Sequence, residues 1–576
     1  MSLSNLDWFI IGAYFILSLG IGIWSSKKAG ENRQSFFLAG RNMPWWLLGI
    51  SMVATTFSTD TPNLVTDLVR QNGVSGNWSW WAFLLTGMLT VFVYAKLWHR
   101  SGVLTDIEFY ELRYSGKAAA FLRGFRALYL GLIFNVLVMG TVSLAAIKFG
   151  EIVLGWPGWM TLSIACSITL IYSTLGGLKA VIITDFVQFI LAMLGSVWAM
   201  IFILDLPEIG GIANLISHAN VVDKISLFPD FSDKNVWIPV LLVPLAVQWW
   251  ASYYPGAEPG GGGYIAQRMF SAKDENNAVG ATFLFNIAHY ALRPWPWILI
   301  ALSSLIIFPE LTDIEKAFPN LPADKLGHDV AYPAMLSLLP SGLLGLVAAS
   351  LIAAFMSTMS TQLNLGASYL VNDFYYRFIN NKATEKQLVK SGRLFTVLSI
   401  VMGGGLGLLL TSAGQAFTLL LMIGAGTGLI YILRWFWWRI NAYTEIVAMI
   451  SSLIIAVYFN FFDSNFEEWE KIIIGALLTT IVWVIATFIT PPDDEKTLVN
   501  FVKKVNPGGP GWSKYTLNDS KEIWQLPKGI LLMFLGCSTV YSVLLGVGQL
   551  IYGNQLGYFL ILLSIISGFG LKKFWK

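Results

Sequence analysis

The sequence predicts an all-α polytopic membrane protein, and both its composition and the length of its apolar runs indicate this fold class. Of 576 residues, 55% are hydrophobic and only 12% are charged, and the mean hydropathy is +0.63. A soluble domain carries roughly 25% charged residues, so most of this chain is expected to lie in lipid. The apolar runs reach the ~20 residues of a membrane helix and do not alternate, whereas strands of a membrane barrel have about 10 alternating residues.

The chain contains about fifteen runs that are long and apolar enough to cross a bilayer. They are expected near residues 6–25, 44–68, 77–98, 119–148, 158–176, 178–205, 236–257, 277–309, 341–375, 392–411, 414–437, 441–461, 471–490, 529–550 and 555–572. The segment 105–115 is too polar to span, and its pattern predicts an amphipathic helix on the inner surface.

Basic residues are concentrated in alternate loops. They follow the first run, flank the loop at 96–126, crowd the loop at 377–393 and close the chain, whereas segment 461–468 of opposite parity is acidic. The positive-inside rule then predicts an N-terminus outside and a C-terminus in the cytoplasm, in the cytoplasmic (inner) membrane. Because the basic cluster follows the first run, we expect a retained helix there rather than a signal peptide.

Four hydroxyl side chains lie close together in segment 353–364, inside the apolar run 341–375. They are Ser357, Thr358, Ser360 and Thr361. Residues i, i+3, i+4 and i+7 share one helix face, so Ala354 and three of these hydroxyls form a stripe. Lipid cannot satisfy such groups, and the stripe should face protein or a water-filled cavity. Neutral oxygens at this density suit a small hard cation that binds and is then released.

Two apolar runs are interrupted in a way that lipid-facing helices avoid. The first contains Thr55–Pro62 and the second ends in Gln248–Tyr264. Each opens a block of five runs, at 44–205 and 236–437. Breaks in matching helices of two halves point to a transporter site between inverted repeats, where unwound backbone frees carbonyls for ions and half-helix ends for solute. Kinks repaired by neighbouring helices are the alternative.

Charged side chains at membrane depth are costly and usually functional. Asp60 lies in the first interruption, and His289 and Arg293 lie four residues apart on one helix face. We expect Asp60 and Arg293 to face the central cavity and to pair with each other or with solute, because an arginine fork can hold a carboxylate at two points. A purely structural Asp–Arg pair is the alternative. His289 is expected to be a hydrogen-bonded interior histidine rather than a proton carrier.

Other function classes find little support in the residues. Cys166 and Cys537 both fall in predicted spans, so neither a disulfide framework nor a Cys-based metal site is indicated. No Gly-rich phosphate loop or ATP-binding domain is recognisable. With four His and no metal-binding or Ser–His–Asp set, the sequence does not indicate an enzyme. Transport driven by an ion gradient is the favoured class.

Three segments, spread along most of the chain, carry a family resemblance: Gly176–Gln188, Tyr264–Arg268 and Ala354–Thr358. In them the sequence resembles the sodium:solute symporter family, which contains sodium/sugar, sodium/proline and sodium/sialic acid cotransporters. The resemblance implies a LeuT-type fold, with a ten-helix core of two inverted five-helix repeats, one leading helix and about four trailing helices. The implied parts are a leading helix with an inner loop at 1–42, repeats at 43–205 and 236–438 separated by an outer loop at 206–235, and accessory helices at 439–576 with an inner loop at 491–528.

The resemblance also implies two sodium sites, carried over by position. The first would use the backbone carbonyls of Ala54, Phe57 and Ala354 and the hydroxyls of Ser357 and Thr358. The second, which only some members have, would use Asp185, Ser357, Ser360 and Thr361. Each charge that crosses contributes about 2.3 kcal/mol per 100 mV, so a second ion would roughly double the electrical drive. As alternatives, the hydroxyls would bond their own helix, and Asp185 would lie near the inner surface beside Lys179.

The positions that would bind a sugar depart from the sodium/galactose pattern. Trp80 stands where a Glu is expected, Gln248 and Trp249 replace an Asn followed by aromatics, and Leu420–Gly428 lacks an expected Gln. The galactose contacts therefore do not carry over, although an aromatic pocket with few polar groups suits a sugar, a sugar acid or another small solute. The candidate solute-binding residues are Asp60, Trp80, Gln248, Trp249, His289 and Arg293.

These features predict a sodium-coupled symporter that imports a small organic solute, with a sugar or sugar acid favoured, by alternating access. Sodium is the expected co-transported ion, and no organic cofactor, nucleic acid or obligate protein partner is expected beside the solute and the bilayer. The open alternatives are a proton-coupled transporter that uses Asp60, Asp185 or His289, and a sodium symporter for an amino acid or other carboxylate. A transporter-fold sensor is disfavoured, because the inner loop of roughly 38 residues is shorter than a domain.

Overall fold

The computed structural model describes residues 3–250, 260–319, 321–410, 427–462, 466–515 and 524–575. In this part of the chain the regular structure is helical, and β structure is limited to an isolated bridge between Met43 and Ala272. The all-α prediction is confirmed.

We number the principal helices in chain order and leave the short turns of helix in the loops without labels. They are α1 Asn5–Ala29, α2 Trp45–Thr55, α3 Asp60–Asn72, α4 Val74–Ser101, α5 Gly116–Leu154, α6 Gly158–Leu204, α7 Lys234–Ala246, α8 Gly263–Ser271, α9 Glu275–Ile307, α10 Leu343–Ile379, α11 Glu385–Leu409, α12 Ala442–Phe461, α13 Glu468–Ile489, α14 Glu495–Val505, α15 Leu526–Ile551 and α16 Leu556–Trp575.

Eleven helices in the described residues are long and apolar enough to cross a membrane, namely α1, α4–α6, α9–α13, α15 and α16. This number does not confirm a count of fifteen. Helix α6 covers 47 residues but consists of two helices joined at a kink at Gly177, in agreement with the two predicted spans 158–176 and 178–205. Helices α2, α3, α7 and α8 are short because their runs are interrupted. The predicted run 414–437 begins outside the described residues.

Gly177 accounts for the bend that divides α6. Its φ is +55°, a region that residues with a Cβ rarely adopt. A Cβ at this position would also lie 2.7 Å from the carbonyl oxygen of Phe36. Glycine therefore lets α6 change direction while the short helix before α2 packs against the bend.

Both predicted interruptions are present. Helix α2 ends at Thr55 and α3 begins at Asp60, so residues 56–59 separate two half-helices. Helix α7 ends at Ala246 and α8 begins at Gly263, and residues 251–259 between them lie outside the described part. The structure describes the helix ends on both sides of each interruption, and these ends confirm that both spans are discontinuous.

The helices pack so that the first interruption lies among α6, α9 and α10. Helix α10 packs against α5, α6 and α11, and nearly all of its residues from Leu343 to Asp373 are buried. Helix α2 packs on α6 and on the first half of α9, while α3 packs on the second half of α9. The amide of Met43 donates to the carbonyl of Ser271 over 3.0 Å, which ties the start of α2 to the end of α8.

The segment 105–115 differs from the amphipathic surface helix that its sequence predicts. Only Phe109–Arg113 is helical, and Phe109 and Arg113 are buried. The Arg113 guanidinium donates to the carbonyls of Arg434, Trp437 and Ile440. These hydrogen bonds hold the segment 105–115 against the described stretch that begins at residue 427, so the segment packs against the bundle instead of lying on its surface.

Candidate ion and solute sites

The hydroxyl of Thr358 on α10 meets the interruption between α2 and α3. Its Oγ1 donates to the carbonyl of Thr55 over 2.9 Å and lies 3.5 Å from the carbonyl of Phe57. Thr358 thus bonds the unwound backbone of another span, which answers the alternative that it bonds only its own helix. Thr358 and Phe57 are both buried. The structure brings this hydroxyl next to the carbonyls of the interruption, and the sodium site itself stays a prediction.

Ala54 and Ala354, the other two backbone positions expected at the first sodium site, are buried on the same two elements. The carbonyl of Ala54 accepts the amide of Phe57 over 3.1 Å, and the amide of Thr56 also points to that oxygen. Thr59, in the same interruption, has a buried hydroxyl without a hydrogen-bond partner among the described residues. The neighbourhood therefore concentrates neutral oxygens, which suit a cation with oxygen ligands.

Asp185 on α6 contacts side chains of α2, α8 and α10 rather than pairing with Lys179. The side chain is fully buried. Its Oδ1 accepts from the hydroxyl of Ser357 over 2.6 Å, and its Oδ2 accepts from the hydroxyl of Ser51 over 2.5 Å. The hydroxyl of Ser360 donates to the carbonyl of Ser357, in its own helix, over 3.0 Å.

Arg268 on α8 is the residue at this site that sequence reasoning missed. Its Nη2 donates to the hydroxyl of Thr361 over 2.7 Å and lies 3.5 Å from Oδ2 of Asp185. The same nitrogen also donates to the hydroxyl of Thr55 over 3.3 Å, and Nε donates to Ser51 over 3.2 Å. A fully buried guanidinium therefore shares the oxygens expected to form the second sodium site. The sequence feature that could have revealed Arg268 is its position as an isolated Arg in an interrupted apolar run, since charged residues at membrane depth are usually functional.

Arg293 and His289 on α9 both contact the first interruption. Arg293 donates to the carbonyls of Val53 and Thr56, over 3.3 and 3.1 Å, and to the Thr56 hydroxyl over 3.2 Å. Arg293 therefore braces the unwound backbone, and its charge also acts on Asp60. The predicted alignment of His289 and Arg293 on one face is confirmed, because the two side chains lie 3.4 Å apart.

The contacts of His289 define its tautomer. A guanidinium can only donate, so Nε2 of His289 accepts from Arg293. Nδ1 of the same ring lies 3.0 Å from the Thr56 hydroxyl, which itself donates to the carbonyl of Val53. Nδ1 therefore carries the proton and donates to Thr56, and the ring is neutral. This geometry is that of a hydrogen-bonded interior histidine, as expected.

A cavity of about 80 Å³ adjoins the interruption, between α4, α8 and α9. Trp80 and His289, both expected to bind solute, line it together with Thr56 and Tyr290. Trp80 stacks on Tyr290 with ring centres 5.9 Å apart and presents its edge to His289 at 5.6 Å. The other residues expected to bind solute are Asp60, Gln248, Trp249 and Arg293. None of them is among the described residues that line this cavity.

Gln248 and Trp249 lie in a short turn of helix after α7, and Gln248 is buried. The ring of Trp249 contacts that of Trp250 edge to face, with centres 5.3 Å apart. The segment Leu420–Gly428 lacks the Gln expected from the sodium/galactose pattern, and it lies almost entirely outside the described residues.

Comparison with known proteins decides the family. The model of the sodium:solute symporter family matches residues 36–452, which is more than half of the chain. The chain belongs to the sodium:solute symporter family. The resemblance carried by the three sequence segments is confirmed, and with it the prediction of a membrane transport protein of the sodium symport class. The family is one of transporters, which are not enzymes.

Curated members of this symporter family align with most of the chain. A sodium/glucose cotransporter of Vibrio parahaemolyticus is 26% identical over 514 residues, covering 86% of this chain and 92% of the relative. A sodium/mannose cotransporter of Bos taurus is 28% identical over 428 residues, covering 69% and 68%. Among solved structures, a Na⁺-coupled sialic acid symporter in a substrate-bound outward-open state has a TM-score of 0.68 at 20% identity. That likeness covers 85% of this chain and 99% of the other, and shows that the two share a fold.

Proposed function

We propose that this symporter family member imports a small organic solute together with sodium ions by alternating access, with a sugar favoured. The observation that carries the proposal is the contact of the Thr358 hydroxyl with the unwound carbonyls of Thr55 and Phe57. A hydroxyl turns about its C–O bond, so the same oxygen ligates a cation once its proton points away. Sodium at this position would join α10 to the interruption between α2 and α3.

The proposed first sodium site comprises the carbonyls of Ala54, Phe57 and Ala354 with the hydroxyls of Ser357 and Thr358. All its ligands are neutral, so the ion is held by dipoles alone and is released readily where its concentration is low, as in the cytoplasm. Sodium entering from outside would order the interruption, solute would bind between the two repeats, and closure of the outer path would precede opening of the inner one. The ten-helix core, the outside N-terminus and the cytoplasmic membrane belong to this proposal.

A second sodium ion is proposed at Asp185, Ser357, Ser360 and Thr361. Asp185 supplies the one carboxylate there, and its buried position in α6 supports an ion-binding role. The guanidinium of Arg268 already contacts Thr361 and neutralises part of the carboxylate charge. We propose that the second ion binds as Arg268 withdraws from Thr361, so that α8 moves when the site fills.

Transport by the purified chain in proteoliposomes tests the proposal. Uptake of radiolabelled sugars, sugar acids and amino acids is measured with an inward sodium gradient and with choline in place of sodium. At least one solute is expected to enter only with sodium. Thr358→Ala should raise the sodium concentration for half-maximal uptake about tenfold or more, because it removes a ligand.

Ser368→Ala is the matched control for Thr358→Ala. Ser368 is buried on the same helix, but its hydroxyl donates to the carbonyl of Leu365 in its own helix. This variant should keep the sodium dependence of the parent. Uptake that persists without sodium and collapses with a pH gradient would overturn sodium coupling in favour of a proton.

A further inference from the structure

Two buried polar atoms at the cavity between α4, α8 and α9 have no hydrogen-bond partner among the described residues. They are Oδ1 of Asn286 and Oγ1 of Thr86. Buried polar atoms in native proteins are nearly always paired, and each exception needs an explanation. A cavity beside two such atoms indicates that a ligand supplies the missing partners.

The orientation of the Asn286 carboxamide follows from its surroundings. Its Nδ2 donates to the carbonyl of Thr282 over 2.8 Å, and a carbonyl can only accept, so the amide nitrogen must face Thr282. Oδ1 is therefore directed to the opposite side, over Gly87 of α4. A Cβ built on Gly87 would lie 1.8 Å from this oxygen, so glycine is what makes room for it. Asn286 itself is fully buried.

The cavity carries no formal charge from the described residues that line it. Its polar side chains there are hydroxyls, the Asn286 amide, two tyrosines and His289, whose contacts with Arg293 and Thr56 define a neutral ring. The guanidinium of Arg293 is directed to the carbonyls of the interruption. An ionised solute group placed here would lose its hydration without contacting an opposite charge on any described residue of the lining.

We propose that this cavity receives the hydroxyl groups of an uncharged solute, and that Asn286 and Thr86 determine specificity for it. This inference rests on the proposed transport function and goes beyond it in naming the two contacts and the charge class. Asn286 Oδ1 accepts a hydrogen bond from a solute hydroxyl, and Thr86 Oγ1 either donates or accepts. Trp80 and Tyr290 supply aromatic surface beside them. A solute that lacks the donor leaves Oδ1 unpaired and is rejected, as sites built to bind a hydroxyl reject analogues without one.

Matched pairs of probes separate charge from shape. The full-length chain in proteoliposomes is given labelled D-glucose and D-mannose, and their uronic acids D-glucuronate and D-mannuronate, with and without sodium. Each acid differs from its sugar by a carboxylate in place of a hydroxymethyl group. We expect sodium-dependent uptake of a neutral sugar at least tenfold above that of its acid.

Two variants and two controls test the contacts. Thr86→Val and Asn286→Leu should each raise the KM for the neutral sugar about tenfold, without a change in the sodium dependence. Thr169→Val and Ser303→Ala should stay within about twofold of the parent, because both hydroxyls are buried outside this cavity and donate to carbonyls of their own helices, of Ala165 and Leu299.

The outcomes separate this inference from the transport proposal. Sodium-dependent uptake of the acids in preference to the sugars would overturn the inference and leave sodium coupling intact. Uptake of a neutral sugar with equal KM in Thr86→Val, Asn286→Leu and the controls would mean that the two atoms bind only water. Absence of sodium-stimulated uptake for both probe classes would overturn the transport of sugars and this inference together.

Discussion

Arg268 donates a hydrogen bond of 2.7 Å to the hydroxyl of Thr361, and both side chains are fully buried. This bond places a positive charge of the protein 3.5 Å from the Asp185 carboxylate. A sodium ion at the proposed second site would compete with that charge for the same oxygens. In the proposed mechanism, filling of the second site therefore depends on the position of α8, which carries Arg268.

Removal of the Arg268 charge should make the stability of the protein depend on sodium. Arg268→Gln leaves Asp185 buried without its cation, a change that typically costs about 3–5 kcal/mol of unfolding free energy. Sodium then becomes the available counter-charge, so the Tm in detergent should rise with sodium far more than with choline. Thermal unfolding in the two salts measures this difference.

The double variant Arg268→Gln with Asp185→Asn is the control for that experiment. It removes both charges, and it should recover much of the lost Tm and keep only the preference for sodium that the first site gives the parent. A preference for sodium in Arg268→Gln that is no larger than in the double variant would argue against an ion at Asp185.

Loss of the second-site ligands should change the stoichiometry of transport. Asp185→Asn with Thr361→Ala is expected to lower the sodium Hill coefficient of uptake towards one, because the first site remains intact. Initial uptake rates over a range of sodium concentrations measure the coefficient. Ser350→Ala, whose hydroxyl donates to Val347 in its own helix, should leave it unchanged. A coefficient that stays the same in the double variant would remove the second site.

Arg293 is expected to support the interruption rather than to select acidic solutes. Arg293→Lys replaces a fork that donates to two carbonyls and a hydroxyl with one ammonium group that cannot span them. Uptake of neutral and acidic solutes should therefore fall alike, by about tenfold, since hydrogen bonds to charged groups contribute about 1.5–3 kcal/mol each. Arg100→Lys, at a half-exposed ion pair with Glu275, is the control. A loss confined to acidic solutes would instead place Arg293 against the solute.

The ion-pair cluster of Glu111 with Arg123 and Arg377 should make the protein less stable in acid. Burial alone would raise the pKa of Glu111, but hydrogen bonds from Arg377 and Arg123 outweigh it and hold the pKa below its ordinary value of 4.5. A carboxyl with a lowered folded-state pKa contributes stability above its unfolded pKa, and this contribution is lost as the pH falls through the lowered value. The Tm should therefore drop below about pH 4.5.

Glu111→Gln should flatten that acid-side decline, because the variant has no carboxylate to protonate. Its Tm at pH 7 should lie below that of the parent, and the two curves should converge as the pH falls. Glu468→Gln, at a side chain that is 69% exposed, is the control and should follow the parent. Parallel curves for Glu111→Gln and the parent would show that the cluster does not govern acid stability.

The sequence alone was sufficient for the fold class, the two interruptions and the hydroxyl stripe. Hydropathy and helical periodicity are local properties of the chain, and lipid permits few structures that satisfy the backbone. For the same reason the sequence indicated that Thr358 faces protein and that Asp60, Asp185, His289 and Arg293 are unusual at their depth. The count of spans was less accessible, because the interrupted runs form short half-helices and the predicted run 414–437 begins outside the described residues.

Only the tertiary structure decided which polar groups meet. Arg268 lies 83 residues from Asp185 and 93 from Thr361, and no local pattern encodes a contact over such a separation. The same holds for Asn286 and Gly87, and for Arg293, whose donors reach the backbone of Val53 and Thr56 instead of lining the cavity. Which of several helices approach one another depends on packing summed over the whole bundle, so the chemistry at each contact is known only once the helices are in place.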